Sequence, residues 1–320
     1  MEANFSSLWI SVAALVGGLS MLVYGGDILV CGASRFALRH GMRPMLVGLT
    51  IVAFGTSMPE FFVSMTATLQ DHADIMLGNV VGSNIANIAL VLAIAILLRN
   101  IVVSLRTVAL ELSIVLAASL LLAAIAQWGY FSRLFGIIFT VSLIAYTYGV
   151  YTRDRKKKNA GTLDLPACEY TSHLKIFSMI FGGLVLLAIG SDFFIEGAVD
   201  LAGYFGIPEL IVGLTVAAIG TSLPELASSL SAVRRKESDI LVGNIVGSNM
   251  FNLLMVLGGT AIIQPFVIST DMLRRDIPIM IMFSAILVPF IYFFQGLKRW
   301  QGALLLMGYI AYIVILAQGM

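Results

Sequence analysis

Two glutamates, Glu60 and Glu225, stand 165 residues apart in stretches otherwise made of apolar and small residues. Each closes the same kind of six-residue sequence, Gly55-Thr56-Ser57-Met58-Pro59-Glu60 and Gly220-Thr221-Ser222-Leu223-Pro224-Glu225. A second sequence follows at the same distance in both places. It reads Gly78-Asn79-Val80-Val81-Gly82-Ser83-Asn84 with Asn87, and Gly243-Asn244-Ile245-Val246-Gly247-Ser248-Asn249 with Asn252. Without a gap, 21 of the 41 positions from 47 to 87 match their partners 165 residues on, so the chain carries an internal duplication. An acid inside a membrane segment is costly and marks a functional site by default. Two acids at matching positions of a repeat point to a cation site where the repeats meet.

The chemistry follows from the side chains around the acids. A combined charge of −2 suits one divalent ion or several monovalent ones. Calcium takes about six to eight oxygen ligands in irregular geometry, whereas magnesium holds a tight octahedron and keeps its waters. No histidine or cysteine lies in either motif, which argues against zinc, copper or nickel. Ser57 precedes Glu60 by three residues and shares its helical face, as Ser222 does with Glu225. Ser83 and Asn87 are four apart on one face, as are Ser248 and Asn252. Proline removes a helical hydrogen bond and clashes with the preceding turn, so Gly55 with Pro59 and Gly220 with Pro224 predict a break. The break frees carbonyls around Ala53 to Thr56 and Ala218 to Thr221 for an ion, which is tolerated at membrane depth where a polar cavity is lined. Gly78, Gly82, Gly243 and Gly247 form small-xxx-small pairs that predict close helix packing. A single intramembrane Ser, Thr or Asn reads first as interhelical glue; a membrane acid duplicated at one offset has no such reading. Asp27 and Asp192 also pair at 165, but near span ends, where capping or an arginine partner suffices. Glu111 and Glu196 are read as having no acidic partner at that offset, and so as structural.

Stretches of about 20 apolar residues must position these groups. Hydrophobic residues make up 59% of the chain and charged ones 12%, about half of what a soluble domain carries, so the chain is read as an integral membrane protein. Net charge is near zero, which offers nucleic acid no electrostatic footprint. The two cysteines, Cys31 and Cys168, predict no disulfide framework. The N-terminal apolar run lacks a basic flank and cleavage site and reads as a first span. Spans are expected at 8–31, 44–69, 75–98, 108–127 and 132–151, and again at 173–198, 209–233, 238–264, 276–296 and 300–318. This is an all-α membrane protein of ten transmembrane helices: a first five-helix repeat over 1–152, a basic linker over 153–172 and a second repeat over 173–320. With the N-terminus outside, 16 of the 19 basic residues fall on cytoplasmic loops, Arg153, Arg155 and Lys156 to Lys158 of the linker among them. That bias orients the chain with both termini outside. Five spans per half is an odd number, so the second half is inverted and its matching residues gather near the bilayer midplane.

At these residues the chain resembles the cation/calcium antiporter superfamily, and within it the sodium/calcium exchangers. Blocks 47–92 and 212–257 resemble that family's two alpha repeats, and the compact size and short linker resemble a prokaryotic member. The resemblance implies a sodium/calcium exchanger-like fold. It implies that Glu60 and Glu225 are shared calcium and sodium ligands and that Ser57, Ser83, Ser222 and Ser248 hold flanking sodium sites. Asn87 and Asn252 would lie beside the glutamates, and Thr56, Thr221, Ala53 and Ala218 would contribute backbone or hydroxyl oxygens. It also implies a core of the second, third, seventh and eighth spans, across which the first and sixth slide. Some relatives, potassium-dependent exchangers included, have aspartate where this chain has Asn252; an amide there points away from potassium co-transport.

The expected function is therefore sodium-for-calcium antiport by alternating access in a plasma membrane, the inner membrane of a prokaryote. Its partners are calcium, sodium and the lipid bilayer, with no cofactor, no nucleic acid and no obligate protein partner. A proton/calcium antiporter keeps the same glutamates and changes the driving ion. A calcium-permeable channel gains little from inverted repeats. An intramembrane enzyme lacks a motif, since no His-Glu-x-x-His or membrane Gly-x-Gly-Asp occurs and His40, His72 and His173 sit near loops.

Overall fold

Apolar runs bounded by Gly, Pro and charged residues become helices throughout. A computed structural model describes residues 8–158, 172–205 and 220–318. Its helices are α1 (Leu8–His40), α2 (Pro44–Thr56), α3 (Met58–Leu69), α4 (Ala73–Leu98), α5 (Leu105–Ala126), α6 (Arg133–Lys158), α7 (His173–Tyr204), α8 (Leu223–Arg235), α9 (Ser238–Ile263), α10 (Met272–Phe294) and α11 (Arg299–Gln318). Among the described residues, eight of these are long and apolar enough to cross a membrane: α1, α4 to α7 and α9 to α11. Helices α2 and α3, bent by 43° at Ser57, make a ninth span if counted together. The expected span over 209–233 lies partly outside the described residues; its second part is α8. Helix α1 runs nine residues past its expected end at Cys31. Nothing breaks it before Gly41, whose φ of 61° is the left-handed conformation that ends helices. The first residues of the expected linker, 153–158, continue α6.

Contacts between loops sort the bundle into two ends. At one end strands β1 (Tyr130–Phe131) and β2 (Phe266–Val267) pair antiparallel, Arg133 donates to the Ile263 carbonyl at 3.0 Å, and Gln264 bonds Asp71. At the other, Ile101 bridges Leu297, the Arg299 amide donates to Asn100 at 3.1 Å, and Arg39 bonds His173 at 3.1 Å.

Burial shows which helices form the centre. The apolar windows of α4 and α9 are 83% and 94% buried, against 28–44% for the other six long helices. Both central helices carry the Gly-Asn-x-x-Gly-Ser-Asn sequence. Backbone meets backbone where α9 crosses α2: a Cβ on Gly243 would stand 2.4 Å from the Met45 carbonyl oxygen, and one on Gly48 2.5 Å from that of Ile240. Among the described residues nothing lies within 4 Å of a Cβ at Gly78 or Gly82, so only the second glycine pair is seen packing closely. Outside the centre, α1 and α7 run antiparallel with glycine every seventh residue, at 18, 25 and 32 and at 183, 190 and 197. A period of seven keeps one seam facing the partner along a left-handed crossing. Each of these glycines faces the other helix, as where a Cβ on Gly18 would come 2.7 Å from the Gly190 carbonyl oxygen.

Glu111 does have an acidic counterpart 165 residues on, Asp276. The structure gives the two the same partner: the Tyr146 hydroxyl donates to Glu111 at 2.8 Å and the Tyr312 hydroxyl to Asp276 at 3.0 Å. Asp276 is also held by Arg275 through both carboxylate oxygens, at 3.1 and 3.2 Å. Glu111 Oε2 is buried with no hydrogen-bond partner among the described residues. Stripping a buried acceptor of a bond costs about 1–3 kcal/mol, so Tyr146→Phe should destabilise the bundle by about that much. Tyr312→Phe, with Arg275 still in place, should cost less. Denaturant unfolding of the purified variants in detergent checks the order.

Candidate cation site

The proline-containing sequences break their helices at the serine. Ser57 adopts φ −84° and ψ 3°, Ser222 φ −88° and ψ 5°, and a new helix starts at the next residue. Pro59 and Pro224 thereby sit in a first turn, where a missing N–H costs nothing. The carbonyls of Ser57 and Ser222 each accept from the residue four on, Phe61 at 3.1 Å and Leu226 at 3.0 Å. The Ala53 carbonyl, expected to be freed, accepts the Ser57 amide at 3.0 Å and faces the Thr56 hydroxyl at 3.5 Å. Ala218 lies outside the described residues. In the second copy the Ser191 hydroxyl from α7 occupies the Gly220 carbonyl at 2.9 Å; the matching position on α1 is Gly26.

Both glutamates are wholly buried, as are Ser57, Ser248, Asn87 and Asn252; Thr56, Ser222 and Ser83 are at most 2% exposed. Thr221 is half-buried. The copies meet at Glu225: its Oε1 accepts from Ser57 of the first copy at 3.4 Å and from Ser248 of the second at 3.4 Å. The Thr56 and Ser248 hydroxyl oxygens are 3.5 Å apart. These are long bonds at the outer edge of the hydrogen-bonding range. Among the described residues, both oxygens of Glu60 and Oε2 of Glu225 have no hydrogen-bond partner, nor have the Ser222 hydroxyl or either amide atom of Asn87 and Asn252. Ser83 is buried nearby in sequence, but among the described residues no hydrogen bond ties it, Ser222, Asn87 or Asn252 to a glutamate. An ionised carboxylate in such surroundings is strongly unfavourable unless a cation or a proton neutralises it. The unpartnered atoms are oxygens and amides, the donor set of a hard cation.

Two features escape the sequence reading. Asn87 and Asn252 each open a π-helical turn, Asn87–Leu92 and Asn252–Leu257, a widening that recurs at functional sites. Asn79 and Asn244 make a hydrogen-bonded link between the copies, with Ser64, Ser228 and Ser229. Their one visible signal is that Asn79 with Asn244 and Ser64 with Ser229 fall at the 165 offset. Asp27 is held by Arg235 through both carboxylate oxygens, at 3.0 and 2.6 Å, while Asp192 is exposed. Among the described residues no hydrogen bond ties either to Glu60 or Glu225.

Comparison with known proteins places this arrangement. The model of the family described as sodium/calcium exchanger protein matches residues 10–152 and again 175–318. The chain is 36% identical over 283 residues to the inner membrane protein YrbG of Escherichia coli, covering 87% of each chain. It is 32% identical over 340 residues to the sodium/calcium exchanger MaX1 of Methanosarcina acetivorans, covering 94% of this chain and 97% of the relative. Among solved structures, the sodium-calcium exchanger NCX_Mj soaked with zero sodium and calcium superposes at a TM-score of 0.83 with 28% identity, over 97% of this chain and 100% of that one. A family model that accounts for both halves, with relatives matched nearly end to end, leads to one assignment: this integral membrane protein belongs to the sodium/calcium exchanger family.

Proposed function

We propose that the protein exchanges sodium for calcium by alternating access at a site between Glu60 and Glu225. One observation carries the reading: two wholly buried carboxylates, one from each copy of the duplication, present three of four oxygens without a hydrogen-bond partner among the described residues. Ser57 of one copy on Glu225 of the other supports a shared site. Ser57, Ser83, Ser222, Ser248, Asn87, Asn252, Thr56 and Thr221 supply side-chain oxygens, and Ala53 and Ala218 main-chain ones. The frame is ten spans in two inverted halves, 1–152 and 173–320, joined by a cytoplasmic segment over 153–172, with both termini outside the plasma membrane. The grouping of loops at the two bundle ends supports this arrangement.

Calcium and sodium compete for the same two acids, so occupancy by one excludes the other and exchange follows. Access switches only with the acids neutralised, because bare carboxylates are expensive to move through a dry barrier. Coordinating the ions requires no cofactor.

The test is calcium flux in proteoliposomes under an imposed sodium gradient and, separately, a proton gradient. Calcium uptake driven by internal sodium, saturable and strictly coupled, is the expected result. Uptake driven by protons alone keeps the glutamate site and makes the protein a proton/calcium antiporter. Flux down a calcium gradient with no counter-ion makes it a channel.

A further inference from the structure

We infer that Asn79 and Asn244 are positioning residues that set which way the hydroxyls of Thr56 and Thr221 point and bracket the two copies together around the acids. The inference rests on the reading above of the threonines as cation ligands.

The brackets are built the same way. Asn79 Nδ2 donates to the main-chain carbonyl of Glu60 at 3.0 Å and to Ser64 Oγ at 2.9 Å. A carbonyl only accepts, so the amide cannot be turned over, and Oδ1 is the atom that accepts from Thr221 Oγ1 at 3.3 Å. Asn244 Nδ2 donates to Ser228 Oγ at 3.0 Å and to Ser229 Oγ at 3.4 Å. Ser228 gives its own hydrogen to the Glu225 carbonyl at 3.0 Å, so it must accept from Asn244. Asn244 Oδ1 then accepts from Thr56 Oγ1 at 3.3 Å. Each asparagine thus anchors on the backbone of the glutamate in its own copy, directly or through Ser228, and reaches the threonine of the other. Ser228 stands where the first copy has Val63, which explains the relay in one copy alone.

A threonine hydroxyl has one hydrogen and two lone pairs. With the hydrogen given to the asparagine, the lone pairs remain for a cation. A hydroxyl without that acceptor turns its hydrogen to a buried carboxylate instead and competes with the ion. Thr56 has two longer contacts, at 3.5 Å to the Ala53 carbonyl and to Ser248 Oγ, and the Asn244 contact is the shortest of the three.

The experiment is a pair of double-mutant cycles, Asn79→Ala with Thr221→Val and Asn244→Ala with Thr56→Val. The readout is the sodium or calcium concentration that half-saturates the rise in melting temperature of the purified protein, alongside KM and maximal rate in proteoliposomes. Each single change is expected to raise the half-saturating concentration roughly tenfold, with the maximal rate less affected. Each double variant should be no worse than its poorer single, while the crossed pair Asn79→Ala with Thr56→Val should combine additively. Should an alanine variant fail to fold, Asn→Leu, closer in volume, takes its place. Additive behaviour within the cognate pairs, or a lower melting temperature with unchanged half-saturation, overturns the inference. Cations that fail to raise the melting temperature of the unmodified protein, or raise it without any exchange, count against the proposed function. In the second case the cycles still decide the brackets.

Discussion

Glu60→Gln and Glu225→Gln should each reduce sodium-driven calcium exchange to the background of empty liposomes. Two opposite unit charges about 4 Å apart at an effective dielectric near 20 attract by about 4 kcal/mol. About 1.4 kcal/mol is tenfold in affinity, so losing one carboxylate charge costs a cation at least about a hundredfold, and a divalent ion more. Glutamine keeps the shape of the side chain and removes a buried charge, so the fold should survive. In cation-free detergent the variants should melt at or above the temperature of the unmodified protein, because among the described residues three of the four carboxylate oxygens have no hydrogen-bond partner. The rise in melting temperature on adding calcium or sodium should disappear with exchange. A variant that still exchanges calcium removes the glutamates from the mechanism. A variant that loses exchange and also melts early reports damaged packing instead. The amide introduced by Glu225→Gln keeps a carbonyl for Ser57 and Ser248.

What could be read from the sequence divides along physical lines. The eight long spans among the described residues were legible because bilayer thickness forces long apolar runs and their ends carry charge or glycine. The helix breaks were legible because Gly55-to-Pro59 and Gly220-to-Pro224 act through local backbone geometry. The end of α1 was not, since the hydrophobic run stops near Cys31 while the helix continues to His40 as an amphipathic extension packed against α7. The π-helical turns at Asn87 and Asn252 were invisible, because Asn-Ile-Ala-Leu-Val-Leu and Asn-Leu-Leu-Met-Val-Leu read as ordinary helix. The Asn79 and Asn244 brackets depend on which residues of distant helices meet, so repetition alone hinted at them. The link between Glu111 and Asp276 was present at the same offset; their differing acid type hides it, and only the shared tyrosine contact gives it meaning.

Gly243→Leu should prevent accumulation of folded protein, and Gly243→Ala should be among the most damaging single-methyl additions in the chain. The Cβ would stand 2.4 Å from the Met45 carbonyl oxygen and 2.9 Å from the Leu49 amide nitrogen, both backbone atoms that no rotamer change can move. Gly48 and Gly247 lie at the same crossing; a Cβ on Gly247 would meet the Leu49 carbonyl oxygen at 2.7 Å. Separating α9 from α2 to admit a methyl would shift Thr56, which bonds Asn244 one residue along from Gly243. Overpacking typically costs about 1–3 kcal/mol where side chains can yield, and here backbone must yield, so the alanine variant belongs at or beyond the upper end. Gly17→Ala is the control: it lies on α1, and nothing among the described residues comes within 4 Å of its Cβ. Replacing a helical glycine by alanine there should be neutral or stabilising by up to about 1 kcal/mol. Size-exclusion profiles and melting temperatures in one detergent separate the two results. A Gly243→Ala protein as stable as Gly17→Ala would mean that α2 and α9 do not cross at this distance, and that the geometry drawn from Thr56 to Asn244 does not hold.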